Sequence, residues 1–240
     1  METMINCDIH IHTIASGHAF NTIDECTNFA HSMGYALIGI AEHGSDMEGA
    51  PHLGYFDMLY RLPKSKGKMK IIYGCEANII NTAGQTDIPA EIGARLDYVM
   101  AGIHARTSYA DNNIVSNTKA IVNAIARGGI SVITHPVSWR FAIDVREVVN
   151  AAAQYSVILE VNKTVMLEAI RHADNALVKN YRELIEFADK EDVGIIFGSD
   201  AHHNSEMGLS ETDEKILKNE YGFKISTALN NSVDTLLEKI

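Results

Sequence analysis

The chain has 240 residues, 46% hydrophobic and 21% charged, with 31 Asp and Glu against 20 Lys and Arg for a formal net charge of −11. That balance is typical of a globular enzyme and excludes a disordered chain or a coiled coil, and no run of about 18 apolar residues offers a membrane span. So acidic a surface repels phosphate backbones at long range, which excludes a broad nucleic-acid surface but leaves room for a local cationic pocket that takes a small anion. The opening METMINCDIH lacks the basic and apolar regions of a secretory signal. Three scattered cysteines, Cys7, Cys26 and Cys75, form no C-x-x-C pair and read as reduced thiols of a cytoplasmic protein. With four prolines, no Ser/Gly tract and no repeat, one domain over residues 1–240 is expected, a length that a single α/β barrel fills.

In chain order, the first apolar run covers residues 4–12. Thr22 and Glu25 then form a T-x-x-E capping box for a helix over residues 26–33, with Gly34 as its stop. Further runs at residues 36–43 and 70–77 are followed by less regular segments that read as loops with short helices. Runs at 98–104 and 130–135 come next, and Asp144 with Glu147 opens a helix to about residue 153. After the run at 156–162, Asp174 or Asn180 opens an amphipathic segment reaching Glu191, and the last run is 193–202. Short β-branched or aliphatic runs alternating with helices imply parallel strands joined by right-handed crossovers.

Six of these seven runs end at or beside His, Glu or Asp. In a closed parallel barrel all such ends converge on one face, whereas an open sheet brings ligands to a single switch point. The expected fold is therefore a single distorted α/β barrel of seven strands, its site at the C-terminal face of the strands.

Within Cys7-Asp8-Ile9-His10-Ile11-His12, strand alternation predicts Asp8, His10 and His12 on one face and Cys7, Ile9 and Ile11 on the other. Imidazoles at i and i+2 chelate one ion from one side. Taken alone, H-x-H is as consistent with ordinary histidines. Yet His10, His12, His18, His43, His104, His135 and His202 all lie at or just past strand ends, as do Glu76 and Asp200, preceded by Gly74 and Gly198. Gathering nine such groups without a cation leaves buried polar atoms unpaired at a cost of several kcal/mol. Nine ligands suit two or three ions with open positions, and imidazole with carboxylate but no thiolate suits Zn, Mn or Fe. Cys7 and Cys75 read as core residues facing away from the ligands. His31 and His172 read as structural, and His52 and His203 as outer candidates beside the site.

The ordered motifs Asp8-x-His10-x-His12, Glu42-His43, Gly74-x-Glu76, Gly102-x-His104, Thr134-His135-Pro136 and Gly198-Ser199-Asp200-Ala201-His202 resemble those of the PHP (polymerase and histidinol phosphatase) superfamily. The segment from His43 through Asp46-Met47-Glu48 to Ala50-Pro51-His52 resembles its YcdX-type phosphatase branch. The resemblance covers nearly the whole chain and implies a distorted (β/α)7 barrel with a trinuclear metal site. It would place His10, His12, Glu76 and Asp200 on a first ion, Glu76, His104 and His135 on a second, and His18, His43 and His202 on a third. Catalysis would depend on Glu76, His135 and Asp200. Glu42 departs from the pattern, since relatives usually carry Asp there, which puts the orientation of His43 in question.

Three divalent ions less two carboxylates leave about +4, a charge that calls for a small phosphorylated substrate. The resemblance implies a phosphoesterase, most simply a phosphomonoesterase, in which a metal-bridging hydroxide attacks phosphorus in line. Arg106, Arg140 and Lys163 are candidate phosphate contacts, although each is as well read as a solvated cation. Asn162 reads as a substrate contact or a cap, and Trp139 and Tyr109 as rim packing. Two other classes stay open. One is an amidohydrolase-like hydrolase of C–N bonds, disfavoured because the third and fourth runs end in Glu76 and His104 with no lysine. The other is a non-catalytic, metal-stabilised domain. A homo-oligomer is compatible with the sequence.

Overall fold

Seven parallel strands follow one another around a nearly closed barrel in the computed structural model, which describes residues 5–240. They are β1 (Cys7–Ile11), β2 (Leu37–His43), β4 (Met69–Asn78), β5 (Tyr98–Gly102), β6 (Val132–Ile133), β7 (Ile158–Asn162) and β8 (Ile195–Gly198). A short β3 (Ser65–Lys66), not expected from sequence, pairs antiparallel with β4. The fold is thus the distorted seven-stranded barrel that the sequence implies. Met4, the first residue of the first expected run, lies outside the described residues.

Helices surround the strands. The helix α1 (Ile23–Ser32) starts at the Thr22–Glu25 capping box, with both reciprocal hydrogen bonds made, and Gly34 beyond its end has φ +82°. After the short α2 (Leu53–Phe56) and α3 (Ala90–Gly93) come α4 (Ile114–Arg127), α5 (Val145–Tyr155), α6 (Lys163–Arg171) and α7 (Asn175–Lys190). Asp144 caps α5 through the Glu147 N–H, and Asp174, rather than Asn180, caps α7 through the Leu177 N–H. Finally come α8 (Glu211–Tyr221) and α9 (Val233–Lys239).

Two apolar layers result. One fills the barrel, with Cys7, Ile9, Leu37, Ala41, Ile72, Tyr98, Met100, Val132, Ile158 and Ile196 joined by Leu236 of α9, so the C-terminal helix plugs the N-terminal mouth. The other lies between the strands and the surrounding helices.

The register of β1 corrects the expected alternation. Cys7 pairs with Leu37 and Asp8 with Ile38, yet it is Ile11 that pairs with Ile40, so β1 carries one extra residue. Cys7 and Ile9 accordingly pack inside the barrel while Ile11 packs in the outer layer with Ile38 and Ile40. The bulge turns both Ile9 and His10 inward and separates Asp8 from His10 and His12; Cys7 therefore faces the interior and not away from the ligands. The Tyr98 hydroxyl reaches across the barrel to donate to the Ile9 carbonyl at 2.6 Å. Gly39 makes that reach possible, because a Cβ there would lie 2.4 Å from the hydroxyl oxygen.

Between β1 and β8 the sheet has no regular ladder, and side chains close the seam. At the bottom, the fully buried Asn230 accepts from the Phe197 N–H at 2.6 Å and donates to the carbonyls of Cys7 and Phe197 at 2.9 and 2.8 Å. Midway, the Asp8 carboxylate accepts from the backbone N–H groups of His10 and Ser199 at 3.3 and 3.4 Å. Only at the top does backbone meet backbone, where His12 N–H donates to Ala201 O at 2.9 Å. These bonds draw residues 10–12 against 200–202, two stretches that bear candidate ligands.

Candidate metal centre

The fold brings the expected ligands together at the C-terminal ends of the strands. The chemistry of their atoms is best followed from the two histidines of β1. His10 Nδ1 lies 2.6 Å from Glu160 Oε1, and a carboxylate only accepts, so this ring nitrogen carries the proton. His12 Nδ1 lies 3.1 Å from Ser16 Oγ, whose own proton goes to Glu42 Oε2 at 2.6 Å. Ser16 Oγ also accepts from the His43 N–H at 3.1 Å. In their neutral forms both imidazoles therefore present bare Nε2 lone pairs, and these face each other at 3.1 Å.

Around that pair stand only more acceptors. Glu76 Oε2 is 3.3 Å from each of the two nitrogens, and Asp200 Oδ1 is 3.5 Å from His10 Nε2 and 3.3 Å from His12 Nε2. A tetrahedral ion with bonds of about 2.0–2.1 Å has ligand–ligand edges of about 3.3 Å. Glu76 Oε2 is buried without a hydrogen-bond partner, and His43 Nδ1, 2.9 Å away, is likewise unpartnered. The other oxygen of Glu76 repeats the pattern, with Oε1 3.0 Å from His104 Nε2 and 2.9 Å from His135 Nε2, themselves 3.1 Å apart. The bare Nε2 atoms of neutral His10 and His12, converging with carboxylate oxygens, fit a divalent cation, and Glu76, with imidazole nitrogens around both oxygens, sits where it can bridge two of them. Three groups, His10–His12–Glu76, His43–Glu76–His104 and His12–His43–His202, have ligand atoms within 4.8 Å of one another. His18 is in none of them, although its ring stacks at 5.0 Å on His43 and 4.8 Å on His202.

The electrostatics divide the cluster. Burial alone would lower His10, but Glu160, Glu76 and Asp200 outweigh it and hold it well above the ordinary histidine range. His12 rises to about 9 against its burial, through Asp200 and Glu76, and His135 also rises, chiefly through Glu76. Burial works to raise Glu76 and Asp200, but the imidazoles around them hold both well below the carboxylate range. His18, His43 and His202 go the other way, lowered by burial and by neighbouring imidazoles.

Glu160 is the residue that sequence reasoning missed. It is fully buried, accepts from the His135 N–H at 2.7 Å and from Asn162 Nδ2 at 3.2 Å, and occupies space that only glycine leaves: a Cβ at Gly198 would lie 1.8 Å from its Oε1. Its signal was an acidic residue inside an apolar strand, two positions before Asn162 and in register with Ile196. Ser16 was missed as well. Glu42, the departure from the family pattern, is fully buried and serves Thr13 and Ser16 rather than His43 directly.

The remaining candidates are placed as follows. Lys163 is buried, and its ammonium donates to the carbonyls of Glu206 and Gly208, so it holds that turn instead of standing free to meet phosphate. Arg106 and Arg140 are exposed. Asn162 caps α6 through the Val165 N–H and links Glu160 to Asp200 through its amide. Tyr109 is buried against Asn117, while Trp139 is 61% exposed. His52 and His203 cap short helical turns and are exposed, and His172 pairs with Glu168 at 3.1 Å.

Comparison with known proteins fixes the family. A profile of the PHP domain matches residues 8–164. The chain belongs to the PHP family. It is 36% identical over 231 residues to a protein named as a probable phosphatase from Aeromonas hydrophila, covering 96% of this chain and 92% of that one. A protein of the same description from Proteus mirabilis is 35% identical, over 98% and 94% of the two chains. The fold is similar to that of a histidinol phosphate phosphatase from Lactococcus lactis, solved with zinc, L-histidinol and phosphate, at TM-score 0.60 and 15% identity over 91% of this chain and 94% of that one. Among the described residues of this PHP protein, no helix is long and apolar enough to cross a membrane.

Proposed function

We propose that this PHP chain is a metal-dependent phosphoesterase acting on small phosphomonoesters, with residues 1–240 as one catalytic domain. The reading is carried by the two-sided environment of Glu76, each oxygen of which meets its own set of imidazole nitrogens at 2.9–3.3 Å. The probable-phosphatase relatives and the phosphate-bound Lactococcus lactis structure support it.

Three divalent ions, Zn, Mn or Fe, are assigned to the cluster. His10, His12, Glu76 and Asp200 would hold the first, Glu76, His104 and His135 the second, and His18, His43 and His202 the third. When bound, the ions supply positive charge to a phosphoryl group and acidify water as the nucleophile for in-line attack. Glu160 and Glu42 are further buried carboxylates beside Glu76 and Asp200, which lower the positive charge of the loaded site without removing its call for an anion. Glu160 and the Ser16–Glu42 pair keep the Nε2 atoms of His10 and His12 free of protons once neutral. Arg106 and Arg140 are the exposed cations left to meet the substrate.

The test is ion content beside turnover. Purified protein should carry two to three divalent ions by elemental analysis and hydrolyse p-nitrophenyl phosphate. Full hydrolysis after exhaustive chelation would overturn the reading.

A further inference from the structure

Two adjacent ion positions need their ligands held in register, and Glu160 contacts a ligand proposed for each. Its Oε1 takes the Nδ1–H of His10 at 2.6 Å, fixing the tautomer that leaves Nε2 facing Glu76 and Asp200. Its Oε2 takes the backbone N–H of His135 at 2.7 Å. That second bond matters because His135 has φ +27°, a strained backbone that persists only where its surroundings hold it. One side chain on β7 therefore touches a ligand assigned to the first ion and a ligand assigned to the second, reached across the gap left by Gly198.

The geometry points to Glu160 as a positioning residue that couples the two inner ion positions, by orienting the His10 ring and pinning the His135 main chain with the two oxygens of a single carboxylate. The role rests on the ion assignment under Proposed function. Both bonds need an acceptor, which only the ionised carboxylate supplies twice. In Glu160→Gln the amide carbonyl accepts from one partner, and the amide nitrogen confronts the N–H of the other. Outer hydrogen-bond partners of metal-ligating histidines typically govern affinity by about 10–100-fold.

The experiment is competition for Zn against a chromophoric chelator, on wild type, Glu160→Gln and Glu160→Ala, with ion-free melting curves and 15N spectra of the histidine rings. Coupling predicts about 10–100-fold weaker binding at two positions at once in Glu160→Ala and at one position or both in Glu160→Gln, with any third ion unchanged and the ion-free fold retained in Glu160→Gln. Wild type loaded with Zn should show a protonated Nδ1 on His10, a signal a purely structural role does not require. Wild-type affinity at both positions in Glu160→Gln, weakening at one only in folded Glu160→Ala, or an unprotonated Nδ1 on His10 in the loaded wild type would each overturn the coupling role. If instead wild type binds no Zn, the metal assignment itself has failed, which is a distinguishable result. If Glu160→Ala does not fold, Glu160→Gln and the wild-type spectrum still decide.

Discussion

The two halves of the histidine cluster are built differently. The inner half, His10, His12, His104 and His135 around Glu76 and Asp200, lies at or just past strand ends and is buried except for half-buried His135 and Asp200, with acceptor atoms 2.9–3.5 Å apart. In the outer half, His18 and His202 come from loops, and the His18 ring stacks on His43 and His202 at 5.0 and 4.8 Å. Their electrostatics have opposite signs. Carboxylates raise His10, His12 and His135, while burial and neighbouring imidazoles lower His18, His43 and His202. The same side chain is thus set to attract positive charge in the inner half and to resist it in the outer half. Ions should fill the inner half first and most tightly.

Removing the shared carboxylate is the strongest way to break that contrast. Glu76→Gln should abolish tight binding at both inner positions and lower phosphatase turnover by about 10³-fold or more, read by elemental analysis and steady-state assay. His135→Ala and Asp200→Ala should also lose turnover while circular dichroism keeps the wild-type spectrum; full activity in both would show that the inner half is not the reactive one. In the outer half, His18→Ala should weaken one ion by at least about tenfold and leave the inner two in place, as counted by native mass spectrometry.

Outside the cluster, Asn230→Leu is the control for the scaffold. It leaves the Phe197 N–H and the Cys7 and Phe197 carbonyls buried without partners, so urea unfolding should show a loss of about 3 kcal/mol with turnover per folded molecule preserved. The smallest effect concerns protons. With its pKa raised to about 9, ion-free His12 is protonated at pH 7, yet it must be neutral to bind an ion. Loading at pH 7 should therefore release protons and tighten as pH rises toward about 9, measured by calorimetry in buffers of different ionisation enthalpy.

Much of this was visible in the residues themselves. Apolar runs that stop at His, Glu or Asp marked both the strands and the face where they converge, and Thr22, Asp144 and Asp174 marked helix starts that the structure uses. The bulge in β1 was hidden, because an extra residue shows only against the register of the neighbouring strand; strict alternation then misplaced Asp8 and Cys7. Glu160 was hidden by its apolar neighbours in ILEVN, since its partners lie 150 residues earlier at His10 and 25 earlier at His135. Asn230 carries no local signal at all, its role being set by a gap between the first and last strands. By contrast, α8 had a readable Ser210–Asp213 capping box that the sequence reading passed over.

The most direct test of the account is to titrate metal-free protein with Zn or Mn while following ion stoichiometry and p-nitrophenyl phosphate hydrolysis in the same samples. The account predicts two tight ions and a weaker third, with hydrolysis absent from the ion-free protein and appearing as the ions load. Hydrolysis by the ion-free protein, or saturation at a single ion, would contradict it.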